Sequence, residues 1–194
     1  MSRRRVRRRT AAANAGRLVT VALILLVVPA APPSASSDVG QIRPRRAVAF
    51  LSRYERSLLD VVNATRSSRG RAPLVASPGL TAAAELHTAK MIRLGFFEHE
   101  APREKEFWRR IERFYPSAGY DYWAVGENLA YGSPSLEPAE ALREWLSSPA
   151  HRRSILSKGW REVGVAAVHV ESAPGEFEGE PATVITLDLG LRRR

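Results

Sequence analysis

The chain has 194 residues, of which 44% are hydrophobic and 26% charged, with four tryptophans. That is enough apolar material for one ordinary globular domain, and it excludes wholesale disorder. The net charge of +10 and isoelectric point near 10.9 suggest a nucleic-acid binder, but seven arginines precede residue 38, the last three residues are arginines, and the remainder is nearly balanced.

No basic face interleaved with aromatics is visible, so no nucleic-acid partner is expected. The absence of cysteine removes disulfides, a thiolate nucleophile and thiolate metal sites. Any metal must be held by His, Asp or Glu.

In chain order, an arginine-rich start leads into the apolar run from Leu18 to Val28, broken by Pro29, Pro32 and Pro33 and followed by the small residues Ser34 to Ser37. The run is short of the ~20 residues a bilayer-spanning helix needs and has signal-peptide length. Residues 1–37 therefore read as a signal peptide or signal anchor, 38–46 as a linker and 47–191 as the domain. The expected location is extracytoplasmic: secreted, or anchored through residues 18–28.

From Ala47 to about Ser68, Leu51, Tyr54, Leu58, Val61 and Val62 recur at helical spacing, and Gly70 supplies a stop. Ser77-Pro78 signals a second helix, with its stripe at Leu80, Ala83, Ala84, Met91 and Leu94 and Gly95 as its end. A third is expected from Arg103 to Phe114, with Phe107, Ile111 and Phe114 inward. A fourth runs from Glu137 to Leu146, and a short helical turn from Ser148-Pro149 to Ile155. The β-branched runs 163–170 and 182–190 read as an antiparallel strand pair. Helices first and strands later give an α+β domain with helices packed on a small sheet.

Five segments, taken in order, resemble the CAP/SCP superfamily of cysteine-rich secretory, antigen 5 and pathogenesis-related proteins, in its compact bacterial form. They are 59–66, with Asn63 and Arg66; 80–91; Phe96-Phe97-Glu98-His99; Gly126-Glu127-Asn128-Leu129-Ala130; and 145–156, with Trp145, Ser148-Pro149, His151-Arg152 and Ile155-Leu156. Val163-Gly164-Val165 and the run 187–190 fit its closing hairpin. The resemblance implies an α-β-α sandwich and a surface cleft of two histidines and acids able to hold a divalent metal. By position these are His99, Glu127 and His151, with His99 and His151 as metal ligands and zinc as a fitting ion. The second acid of larger members falls on Ser148.

Each of these residues has a plainer reading. Glu127, after Gly126 in an expected loop, can clamp backbone N–H groups. His151 can cap local backbone, Asn128 can hold the loop, His87 reads as a satisfied core histidine and His169 as an outward strand residue. Ser147 or Ser148 beside His151 does not make a hydrolase triad, because no Gly-x-Ser-x-Gly elbow is present and serine before proline is ordinary capping chemistry.

Three functions follow as expectations: a non-enzymatic module for a lipid, sterol or cell-envelope ligand; a metal-dependent hydrolase with Glu127 as base; and an envelope scaffold tethered by residues 18–28.

Overall fold

The computed structural model describes residues 18–19, 26–29, 50–104 and 106–194. The export and linker expectations otherwise lie outside the described residues. Helix α1 (Arg53–Ser68) starts at a reciprocal cap: Ser52 Oγ accepts from Glu55 N–H at 3.2 Å, and Glu55 Oε2 accepts from Ser52 N–H at 2.7 Å. Its inner face carries Leu58, Leu59 and Val62. Glu55 also reaches the sheet, accepting from Ala167 N–H at 3.2 Å.

Strand β3 (Val75–Ala76) leads into α2 (Pro78–Leu94), which has proline in its first turn and ends on Gly95 in the left-handed region at φ 68°. Helix α3 is shorter than the sequence reading, Phe107–Glu112. Arg103 and Glu106, at φ 69° and 55°, have left-handed backbone that cannot continue a helix, so the helix starts only after them. Phe114 then falls beyond its end and is 38% exposed rather than core.

The larger correction concerns Glu127, expected in a loop after Gly126, and its neighbours from 122 to 132. They form the long strand β4 (Tyr122–Gly132). Its outward polar signal is absent because both faces are covered by helices, and a strand buried on two sides loses the alternation that marks a half-exposed one. Helices α4 (Pro138–Ser147) and α5 (Pro149–Ile155) follow, then β5 (Glu162–Val170) and β6 (Ala182–Arg193), the expected antiparallel pair.

The sheet order is β1-β4-β6-β5-β3. The long strands are antiparallel and β3 is parallel to β5. β1 (Leu18–Val19) and β2 (Leu26–Pro29) pair with β4 along its other edge.

The result is the expected α-β-α sandwich. On one face Leu58, Trp145, Ile155, Val165 and Leu187 form a core beneath α1, α4 and α5. On the other, Met91, Leu129 and Val184 form one cluster and Leu80, Ile111, Trp123 and Val125 a second, beneath α2 and α3. Antiparallel alternation therefore turns the odd-numbered residues of β4 and the even-numbered residues of β6 toward α2 and α3. Among the described residues no helix is long and apolar enough to cross a membrane.

Candidate functional site

Two strand positions set the site. Glu127 on β4 and Asp188 on β6 lie directly opposite in register and share the α2/α3 face, and neither is exposed to solvent. Paired carboxyl groups in a dry interior repel unless a cation or a proton separates them. Helix α3 supplies the cation. Arg110, 4% exposed, donates from Nη2 to Glu127 Oε2 and from Nη1 to the His99 carbonyl at 3.2 Å, and its Nη2 lies 4.0 Å from Asp188 Oδ1.

The segment after α2 brings in His99, whose Nδ1 lies 2.7 Å from Glu127 Oε1. Because the carboxylate can only accept, Nδ1–H is the donor of this bond. His87 of α2 donates from Nε2 to the Glu98 carbonyl at 2.9 Å and stands 4.0 Å from Glu127 Oε1.

The protonation states follow from this arrangement. Burial alone would push the Glu127 carboxyl up, but the Arg110 guanidinium and the adjacent imidazoles outweigh it and hold it below the usual carboxylate range. Burial pushes Asp188 well above that range, and the Glu127 charge across the ladder adds to the effect. Burial pulls His87 down to about 4, so it is neutral at ordinary pH, as expected of a satisfied core histidine.

The structure brings His99 and Glu127 into direct contact. His151 is buried on α5, a helix of the opposite layer, one turn before the core residue Ile155. The basic side chains of described residues within 4.0 Å of the Glu127 carboxylate are those of His99, Arg110 and His87. Asn128, expected to brace a loop, is a strand residue whose buried amide atoms have no hydrogen-bond partner. Ser147 ends α4, its Oγ donating back to the Glu144 carbonyl at 2.7 Å, and Ser148 stands at the start of α5 without the side-chain capping bond expected of a serine before proline. His169 is exposed, as read.

Sequence reasoning passes over Arg110 and Asp188. The first sits among Arg109 and Arg113 in what looks like a solvated helix face, and the second inside an apolar strand run.

Zinc sites use three or four protein donors. Here both Glu127 oxygens are engaged by His99 and Arg110, and His99 Nδ1 is spent on the same bond. Among the described residues no group of three or more His, Asp or Glu side chains is disposed to hold a metal. The donor set as built does not fit a tightly held ion.

An open hollow of about 510 Å³ lies elsewhere, where β3 and the start of α2 meet the end of α3. Its walls are largely apolar, including Phe50, Val75 and Phe114, which are 40%, 51% and 38% exposed. Its polar side is a linked set: Tyr115 O–H donates to Glu162 Oε2, and Arg192 pairs with Glu162 Oε1 at 3.3 Å while lying 3.8 Å over the Tyr115 ring.

The family model described as "CAP: Cysteine-rich secretory protein family" matches residues 59–179. The chain belongs to the CAP family. The CAP domain is 29% identical over 122 residues to the uncharacterised protein YkwD of Bacillus subtilis (strain 168), a match spanning 63% of this chain and 45% of YkwD. It is 27% identical over 111 residues to the uncharacterised membrane protein YlbC of the same organism, covering 57% of this chain and 30% of YlbC. The chain thus spans less than half the length of either relative.

Among solved structures it resembles an extracellular SCP-domain protein of Bacillus anthracis str. Ames, with a TM-score of 0.55, 21% identity, and coverage of 80% of this chain and 45% of that one. It also resembles an outer surface protein of Borrelia burgdorferi, with a TM-score of 0.57, 17% identity, and coverage of 71% of this chain and 92% of that one. At these identities the likeness establishes the fold alone.

Proposed function

We propose that this CAP domain is an extracytoplasmic, non-enzymatic binding module for an apolar or amphipathic ligand, of the lipid, sterol or envelope-component class. The observation that carries the reading is the hollow walled by Phe50, Val75 and Phe114. Its volume of about 510 Å³ is in the range of small-molecule sites, and large apolar side chains stay exposed at its rim. The buried cluster supports the non-enzymatic half. A general base must reach its substrate, and Glu127 is sealed from solvent with both oxygens bonded within the protein. The apolar run 18–28 supports export, as do an extracellular and an outer-surface structural neighbour.

The test is titration of the purified protein with a fluorescent fatty acid and, separately, a fluorescent sterol. Saturable binding is expected, weakened at least tenfold in Val75→Asp and Phe114→Asp. Both side chains are partly exposed, so folding should survive and is checked by circular dichroism. Absence of saturable binding, or equal affinity in wild type and both variants, refutes the assignment of the hollow.

A further inference from the structure

Burying Glu127 and Asp188 face to face across the β4–β6 ladder requires about two positive charges to offset two carboxylates. Arg110 supplies one as a guanidinium held between the two carboxyl groups. A single divalent ion carries both. The geometry points to one location for it: Arg110 Nη2 is bonded to Glu127 Oε2 and lies 4.0 Å from Asp188 Oδ1, while the neighbouring Nη1 bonds the His99 carbonyl at 3.2 Å. Two carboxyl groups and a backbone carbonyl thus converge on the guanidinium, an oxygen set of the kind divalent cations take. Independently of that convergence, Asp188 is fully buried and its carboxyl group meets the Glu127 carboxylate, a contact that needs a proton or a cation between the two.

We propose that Arg110 is a built-in replacement for a divalent cation, so that the wild-type cluster recruits none, and that removing its side chain turns Glu127 and Asp188 into a cation site. Arg110 is a positioning residue on this account. Its charge holds Glu127 ionised, Glu127 orients His99, and the volume it vacates is where an ion and its waters would sit. This goes beyond the ligand-binding reading and does not depend on it.

The test is calorimetric titration of the full chain with zinc, and in parallel with manganese, using wild type, Arg110→Ala, and Arg110→Ala combined with Glu127→Gln. Wild type should show no one-to-one binding. Arg110→Ala should bind one ion at least tenfold more tightly than wild type and gain thermal stability on adding it, and the double variant should lose both effects. Combining Arg110→Ala with His151→Ala should leave the gain intact.

Arg110→Ala is also expected to be less stable without metal, and it stays informative if it fails to fold alone, because zinc should then restore the folded circular dichroism spectrum while Arg110→Lys, which keeps the charge, should fold unaided. Stoichiometric zinc binding by wild type that vanishes in His99→Ala/His151→Ala overturns the proposal. So does an Arg110→Ala protein that gains no affinity and is not rescued by either ion.

Discussion

At the scale of single residues, the buried histidine of α2 makes the clearest statement about pH. In the unfolded chain His87 takes up a proton as pH falls through its ordinary value of 6.5, whereas burial keeps the folded imidazole neutral down to about 4. Between those values the unfolded state binds more protons, so stability falls as pH falls, by about 1.5 kcal/mol from pH 6.5 to 5. Glutamine at this position keeps a donor for the Glu98 carbonyl and cannot titrate. Urea unfolding of wild type and His87→Gln at the two pH values should therefore show a wild-type loss larger by roughly that amount. Parallel pH dependence in the two proteins would assign the acid sensitivity elsewhere.

The same scale shows what the sequence discloses about the site. His99 and Glu127 are accessible to a sequence reading because short motifs carry them. Arg110 and Asp188 are not, because nothing local tells a helix arginine that it will be 4% exposed, or a strand aspartate that it will face a glutamate from a strand far earlier in the chain. Their roles exist only once two elements far apart in the chain have packed.

At the scale of elements, helices with caps and stripes are legible, and the strand covered on both faces is not. Ser52 with Glu55, Pro78 and Gly95 mark ends through backbone chemistry that operates within a few residues. β4 has no such punctuation, and its small and polar members, Ala124, Gly126, Glu127 and Asn128, hide its apolar alternation.

Where α2 crosses β5, the close approach depends on one missing side chain. A Cβ at Gly164 would run into the Leu80 carbonyl group and the Thr81 nitrogen, and helix backbone cannot step aside as a flexible side chain can. Gly164→Ala should cost about 3 kcal/mol, the upper range for overpacking, read as a lowered urea midpoint. Because α2 would lift off the face that holds Glu127, slow amide exchange in the middle of β4 should be lost as well. A near-neutral substitution would mean that α2 does not rest on this strand.

At the scale of the whole molecule, residues 51–191 build an apolar layer on each face of the sheet. The layer under α1, α4 and α5 runs from Leu51 to Leu191, and those under α2 and α3 lie between Leu80 and Val184. β1 and β2 pair with β4 along its outer edge, Leu18 opposite Gly132 and Leu26 opposite Val125. Removing residues 1–46, the expected export segment and linker, hands that edge to water, which satisfies exposed backbone groups at little cost. The truncated protein should therefore unfold in one cooperative transition, with its midpoint lowered by no more than about 5 °C. It should also self-associate more readily at high concentration, since a bared strand edge is a template for pairing with another copy. Scanning calorimetry with light scattering checks both. A broad, non-cooperative melt would place part of the core in the first forty-six residues and move the domain boundary upstream.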